Sequence, residues 1–246
     1  MSTDKIPQLK ALWQQAFGDP DAFVDRFFGN FFSPNRCRYL EEDGKIVSAL
    51  YWFDCYLEEE KWAYLYAVAT DEAHRGKGLC RHLMEMTHRD LAESGYAGAV
   101  LFPAEAHLWN YYKKLGYTPF GNVRHFEVTA DETPETAQII PPDTYKALRK
   151  SYAPEGSLDQ SSAFGFYRGW GDFYRGEDWL LAGGIHEDVF YAQEFLGNAE
   201  KLPGVLRALG ATKGHFRVPG GEKPCGMYLK FSPLAATPRY LGFPMD

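Results

Sequence analysis

The sequence predicts an α/β fold in which helices flank a mixed central β-sheet. Three observations support this prediction: two apolar runs with helical spacing open the chain, strand-like runs follow, and the apolar period becomes helical again after residue 70. The first half therefore has the order ααβββαβαβ, which is typical of α/β and α+β domains. With 246 residues and 45% hydrophobic content, the chain can build cores of ordinary size.

The two opening helices are predicted from spacing and from one breaker. Residues 7–17 carry four apolar side chains on one helical face, namely Leu9, Leu12, Trp13 and Ala16. The sequence Gly18-Asp19-Pro20 ends that pattern, and a second apolar run follows at residues 21–32. We therefore expect a pair of short helices before the first strand.

The strands of the first half follow from turn signals and apolar runs. An Asp-Gly turn within residues 42–45 separates the extended runs 38–41 and 46–57, which predicts a β-hairpin. The run 62–70 predicts a third strand. The remaining predicted elements of this half are a helix from residue 79 to Gly95, a strand at 97–102, a helix at 105–115 and a strand at 117–128.

A segment rich in proline, threonine and acidic residues divides the chain. Residues 131–142 have this composition, so we predict a first domain at 1–130, a linker at 131–142 and a smaller second domain at 143–246. The second domain should hold a helix, a hairpin around residues 186–188, a short helix and two more strands. Its hairpin resembles the one around Gly44, which suggests a degenerate duplication.

Composition narrows the classes of partner and location. The net charge of −7 disfavours nucleic acids and anionic membranes, which reward basic surfaces, and favours cationic substrates. Neither a signal peptide nor a run of about 20 apolar residues is present, so we expect a cytoplasmic protein, monomeric or homodimeric. The four cysteines are widely spaced, and neither a disulfide framework nor a metal site is expected from them.

The turn at Arg75–Leu79 has the features of a phosphate-binding loop. It lies between a predicted strand and a predicted helix, where unpaired backbone N–H groups and the helix dipole favour an anion. Gly76 and Gly78 let the backbone approach closely, and Arg75 and Lys77 add positive charge. The nucleoside-triphosphate motif GxxxxGK(S/T) is absent, and the dinucleotide motif GxGxxG would need glycine at Arg81.

The run AVATDEAHRGKGLCRHLM at residues 67–84 resembles the acetyl-CoA motif of GNAT N-acetyltransferases, Q/R-x-x-G-x-G/A. Gly76 and Gly78 match that motif, while Ala73 stands where glutamine or arginine is commonest. The run WNYYKKLGY at 109–117 resembles a second family motif, FYxKxGF. The resemblance implies acetyl-CoA as cosubstrate and a sheet splayed beside the pantetheine arm. The cofactor contacts that it implies are Val68, Ala69, Thr70, Arg75, Gly76, Lys77, Gly78, Leu79 and Cys80.

The same resemblance implies roles in catalysis. A bulge in the strand near Val68–Thr70 would leave backbone amides free to polarise the thioester carbonyl. Tyr112 would be the general acid, because the family commonly has a tyrosine at this position. Tyr111 is its competitor, although consecutive helical residues point about 100° apart. For the general base the sequence offers Glu105, His107 or an acidic group in the tail Tyr240–Asp246.

Three functions stay open at this point. The first is acetyl transfer to a small-molecule amine; the second is a non-catalytic acyl-CoA-binding regulatory module; the third is acetylation of protein lysines or amino termini.

The second half resembles the degenerate partner domain of tandem GNAT proteins, and it has no counterpart of the glycine loop. His82 and His88 are expected at the surface, and the aromatic cluster at residues 164–174 is expected in a core, a substrate pocket or an interdomain seam.

Overall fold

The computed structural model describes residues 5–244 and contains two six-stranded sheets. The first sheet has the strand order β1-β2-β3-β4-β12-β5, and the second has the order β6-β11-β10-β9-β8-β7. The helices are α1 (Ile6–Phe17), α2 (Asp21–Asn30), α3 (Leu79–Glu93), α4 (Ala106–Lys114), α5 (Pro142–Tyr152), α6 (Phe164–Tyr167) and α7 (Leu202–Ala208). The strands are β1 (Cys37–Glu42), β2 (Lys45–Leu57), β3 (Glu60–Thr70), β4 (Gly98–Leu101), β5 (Thr118–Phe120), β6 (Val123–Thr129), β7 (Gln138–Ile140), β8 (Asp172–Arg175), β9 (Leu180–His186), β10 (Val189–Leu196), β11 (Lys213–Pro219) and β12 (Gly226–Lys230).

The predicted α/β class is confirmed, and most elements of the first half begin and end near their predicted positions. The hairpin β1–β2 turns at Asp43 and Gly44, which both have positive φ angles of 49° and 78°. An Asp-Gly pair suits this geometry because aspartate tolerates the left-handed region and glycine has no Cβ. The turn therefore fixes the register of the two strands that open the first sheet.

The prediction of one continuous strand over residues 117–128 is wrong. The structure has β5 and β6 there, and these strands lie in different sheets. The break occurs at Gly121, whose φ is +58°, and a Cβ at this position would lie 2.2 Å from the carbonyl oxygen of Arg239. Only glycine fits such a close backbone approach, so the chain turns here from the first sheet to the second.

Two strands pair with strands from the other side of the predicted linker at residues 131–142. Strand β12, from the second half of the chain, lies between β4 and β5 and pairs with both in antiparallel fashion. Strand β6, from the first half, pairs with β11 in the second sheet. The predicted linker itself includes the short strand β7. The two sheets are therefore joined by exchanged strands, while the domain boundaries stay a prediction.

The first sheet separates two apolar clusters. On one face Trp13, Val24 and Phe27 of helices α1 and α2 pack against β2 and β3, each at most 3% exposed. On the other face Leu83 and Met84 of α3 pack with Tyr112 of α4 against the same strands. Alternate residues of β3 thus belong to different clusters, as the two-residue period of a strand requires.

A buried ion pair organises the second half. Arg149 on α5 donates two hydrogen bonds of 2.8 Å to the carboxylate of Glu194 on β10, and that carboxylate also accepts one of 2.6 Å from Tyr145. The side chain of Glu194 is completely buried. The Arg149 guanidinium also donates to the carbonyl of Leu158. A buried charge is tolerated only with such complete pairing, so these groups act as one unit.

Candidate active site

Strands β3 and β4 separate in the middle of the first sheet. Their parallel pairing covers only three residue pairs and ends at Tyr64 and Val100, although β3 continues to Thr70. In this extension, two residues of β3, Ala67 and Val68, stand opposite the single residue Leu50 of β2, and this arrangement is a β-bulge. Ala67 has a φ of +48°. A bulge interrupts the hydrogen-bond ladder and redirects the backbone. The predicted splay and bulge are therefore both present.

A cavity of about 510 Å³ lies in this gap and is lined from both faces of the sheet. Its wall includes the bulge, the end of β4, helix α4 and the α1–α2 region. Tyr112 and Leu65 belong to the cluster beneath α3 and α4, whereas Trp13 belongs to the cluster beneath α1 and α2. The cavity thus connects the two faces of the sheet, and two molecules can meet in it from opposite sides.

The predicted phosphate loop has an open backbone. Gly76 and Gly78 have φ angles of +78° and +80°, and a Cβ on either would meet nothing within 4 Å. The first hydrogen bond of α3 runs from the His82 amide to the Gly78 carbonyl, so the amides of Leu79 and Cys80 precede the helical ladder. Arg75 bends back, and its Nε donates to the carbonyl of Thr70 at 3.2 Å.

Asp71 anchors this loop, and sequence reasoning assigned it no role. Its carboxylate accepts hydrogen bonds from the Ala73 amide at 3.1 Å and from Lys45 at 2.8 Å, and it contacts His74 Nδ1 at 2.6 Å. Hydrogen bonds from Lys45 and His74 hold the pKa of Asp71 well below its usual range. The only sequence signal was an aspartate that follows a strand and caps a short turn.

We expect Asp71→Asn to raise the KM for acetyl-CoA roughly 3- to 10-fold, because the loop loses a charge-assisted anchor before the glycines. Since the pKa of Asp71 is depressed, the carboxylate stabilises the loop at neutral pH, and its contribution is lost only as the pH falls through that depressed pKa. Glu72→Gln, which changes an exposed neighbour, is the matched control. Steady-state kinetics would contradict this role if both variants kept the wild-type KM.

The two tyrosines of α4 occupy different environments. Tyr112 is 8% exposed and lines the cavity. Tyr111 is not among the residues that line the described cavity, and its hydroxyl interacts with the thiol of Cys80. Burial raises the pKa of Tyr112, and the nearby Cys80 thiol adds to this effect. The phenol of Tyr112 therefore keeps its proton at neutral pH and faces the space between β3 and β4.

The candidate bases lie outside the cavity wall. The side chains of Glu105 and His107 are 71% and 70% exposed and contact each other at 3.2 Å, where α4 begins. The tail is packed, since Tyr240, Leu241 and Phe243 are at most 1% exposed. Tyr64, which lines the cavity, donates a hydrogen bond to the carbonyl of Pro244. The acidic residue of the tail, Asp246, lies outside the described residues.

The two histidines of α3 differ in exposure. His82 is exposed, as expected, whereas His88 Nε2 lies 2.8 Å from the Tyr117 hydroxyl, and burial lowers the pKa of His88 to about 4. His88 is half-buried rather than fully exposed, because its ring packs beside Tyr117 and Phe231. Among residues 5–244, no cluster of three or more His, Cys, Asp or Glu residues could hold a metal ion.

The α1–α2 face of the cavity contributes residues that sequence reasoning did not assign to the site. Trp13, Asp19 and Phe23 come from the opening helices and their connection, and Trp170 comes from the second half of the chain. Within the aromatic cluster at 164–174, Phe164, Phe166, Tyr167 and Phe173 are buried, while Trp170 is 44% exposed. That cluster therefore supplies both a core and one wall of the cavity.

These features fit two parts of acetyl-CoA, the diphosphate and the arm that carries the thioester. The open backbone at Gly76 and Gly78 and the amides that begin α3 suit a diphosphate. The gap beside the bulge at Ala67 and Val68 suits a narrow, extended arm, which ends near Tyr112. Among the described residues, no helix is long and apolar enough to span a lipid bilayer.

Comparison with known families supports this interpretation. Residues 1–120 match a family model described as an acetyltransferase (GNAT) domain. This range contains the bulge, the glycine loop and both tyrosines of α4. A search of curated proteins finds no significant match.

Several solved structures share the fold. A GCN5-related N-acetyltransferase from Kribbella flavida matches with a TM-score of 0.69 and 14% identity, over 94% of this chain and 70% of that chain. One from Anabaena variabilis has a TM-score of 0.69, 14% identity and coverage of 94% and 69%. One from Sphaerobacter thermophilus has a TM-score of 0.54, 14% identity and coverage of 96% and 97%. At this identity the likeness concerns the fold.

Proposed function

We propose that the chain is an N-acetyltransferase that transfers an acetyl group from acetyl-CoA to a small-molecule amine, because residues 1–120 match the model of the GNAT acetyltransferase domain. The observation that carries this proposal is the cavity that connects both faces of the first sheet at the β3–β4 gap. A thioester can enter from the α3–α4 face and an amine from the α1–α2 face. The two substrates would then react directly within one ternary complex.

The reaction requires three tasks from the protein. The acceptor ammonium loses one proton before its nitrogen bonds to the acetyl carbon, and the nitrogen loses a second proton as the amide forms. The carbon–sulfur bond breaks as the sulfur takes up one proton. One proton is released overall for each amine that is acetylated. Acetyl-CoA supplies the activated acetyl group, and the chain must orient it, accept one proton and donate another.

We assign these tasks to groups around the gap. Backbone amides at the bulge and onward to Thr70 would polarise the carbonyl, because the ladder is interrupted there. Tyr112 would protonate the leaving sulfur, since its phenol stays neutral and lines the cavity. Glu105 or His107 would receive the proton of the amine through water, since both are exposed at the start of α4, outside the cavity wall.

The direct test is a panel of amines incubated with the protein and acetyl-CoA, followed by release of free thiol. Acetylation of at least one amine, with the acetylated product identified by mass spectrometry, is the expected result. Binding of acetyl-CoA without acetylation of any amine in a broad panel would instead indicate a non-catalytic acyl-CoA-binding module.

We expect coenzyme A to bind with a stoichiometry of one per chain, because the glycine loop at residues 75–79 has no counterpart in the second half. Isothermal titration calorimetry measures this number directly, and the bound ligand should raise the apparent Tm. Gly76→Val is the matched variant: valine at a φ of +78° strains the loop, and its side chain fills the open space. Two equivalent sites, or full affinity in folded Gly76→Val, would disprove this assignment.

A further inference from the structure

The part of the cavity wall that faces α1 and α2 is aromatic and carries one carboxylate. The rings belong to Trp13, Phe17, Phe23 and Trp170, and the carboxylate belongs to Asp19. Among the described residues that line the cavity, Asp19 is the one whose side chain is charged at neutral pH. A carboxylate that shares a cavity wall with aromatic rings is a site for a cation, which gains from the opposite charge and from any ring face that it contacts.

The hydrogen bonding of Asp19 leaves it able to bind a ligand. Its Oδ2 accepts a hydrogen bond of 2.7 Å from Trp13 Nε1, which fixes the orientation of the carboxylate. Within residues 5–244, Oδ1 accepts no hydrogen bond from the protein. The carboxylate is thus positioned in advance, and one oxygen is available to a donor in the cavity.

Asp19 is separated from the bulge by two aromatic rings. Tyr66 immediately precedes the bulge residue Ala67, its ring centroid is 5.5 Å from that of Trp13, and the Trp13 indole then contacts Asp19. A nitrogen that attacks an acetyl group at the bulge therefore lies apart from a cation held at Asp19. An acceptor that satisfies both positions needs two nitrogens joined by an apolar spacer.

The second half of the chain completes this subsite through Trp170. The Trp170 ring lies 5.1 Å from Phe23 between ring centroids. Arg26 on α2 donates hydrogen bonds of 3.0 and 3.2 Å to the carbonyls of Gly165 and Phe166, which ties the segment before Trp170 to the opening helices. The position of Trp170 is therefore set by contacts to α2.

We propose that the acceptor is an aliphatic diamine or polyamine, with one amine at the bulge and a second, charged amine held by Asp19 between the rings of Trp13, Phe23 and Trp170. This inference rests on the proposed acetyltransferase activity and specifies its acceptor. The methylene spacer packs along Tyr66 and Trp13, and only the amine at the bulge loses its proton. The overall negative charge of the chain, −7, also favours the approach of such a cation.

The experiment compares kcat/KM for diamines with kcat/KM for monoamines of equal chain length. Putrescine is matched with n-butylamine and cadaverine with n-pentylamine. We expect the wild type to prefer each diamine by roughly 10-fold or more, as for a hydrogen bond between charged groups. Asp19→Asn keeps an acceptor for Trp13 Nε1 but removes the charge, so the ratio should fall to about one.

A second variant serves as the control. Asp21→Asn changes a neighbouring carboxylate that does not line the cavity, and the preference for diamines should persist. Equal kcat/KM for diamines and monoamines in the wild type, or an unchanged preference in Asp19→Asn, would overturn the inference while the acetyltransferase activity stands. Acetylation of no amine in either series, while another amine of the broad panel is acetylated, would overturn the inference alone; acetylation of no amine in the broad panel would overturn the activity as well.

Discussion

Tyr112→Phe should lower kcat by roughly 10²- to 10⁴-fold, the usual contribution of a positioned acid or base. The substitution keeps the ring and its packing against Tyr117 but removes the proton that the leaving sulfur would take. The Kd of acetyl-CoA should change little, because the glycine loop and the bulge are untouched. Steady-state kinetics and calorimetric titration of the same preparation separate these two effects.

The pH dependence gives an independent check of this role. Burial raises the pKa of Tyr112, so its acid form persists to a higher pH than that of an ordinary phenol. Any alkaline limb of the kcat profile that reports Tyr112 should therefore lie above pH ~10 and vanish in Tyr112→Phe. Tyr111→Phe is the matched control and should keep the limb. If Tyr112→Phe keeps full kcat, the phenol is a packing residue.

Arg149→Met should destabilise the protein by about 3–5 kcal/mol, because it leaves the carboxylate of Glu194 buried without its partner. This is the largest effect on stability that we expect from one substitution. Equilibrium unfolding in urea, with the slope compared between variants, measures it. The double variant Arg149→Met/Glu194→Leu should recover part of the loss, since it removes both charges of the pair but leaves the Tyr145 hydroxyl and the Leu158 carbonyl without these partners.

Acid unfolding tests the same pair. Burial opposes ionisation of Glu194, but Arg149 and Tyr145 outweigh burial and lower the pKa of this carboxyl. A carboxyl with a depressed pKa in the folded state contributes stability at neutral pH, and this contribution is lost as the pH falls through that pKa. The double variant should therefore lose less stability than the wild type as the pH falls below ~4. Parallel acid profiles for both proteins would contradict this account.

The first half was predictable because its signals are local. Glycines at 76 and 78 mark a turn, the apolar period of α3 follows at once, and the motif ending at Tyr117 marks α4. Each of these signals lies within about ten residues of the structure that it predicts. Together with the family resemblance, they indicated the loop, the bulge and the two tyrosines.

The rest depends on contacts between distant parts of the chain. Trp170 lies beside Phe23, and Tyr64 reaches the carbonyl of Pro244, but neither pairing has a local signature. In the sequence, Asp19 belongs only to a segment that ends the first helix, and the fold places its carboxylate in the cavity wall. Strand β12 shows a strand-like pattern whose partners, β4 and β5, lie more than 100 residues earlier. Apolar periodicity predicts that a strand exists but not where it pairs.

The placement of β12 in the first sheet determines when that sheet can be completed during synthesis. Strands β4 and β5 leave the ribosome first, and the strand that joins them follows more than 100 residues later. At bacterial and eukaryotic elongation rates of about 5–20 residues per second, the nascent chain exposes both unpaired edges for ~5–20 s. During that interval the first sheet stays incomplete, and the unpaired strand edges are targets for chaperones or for aggregation.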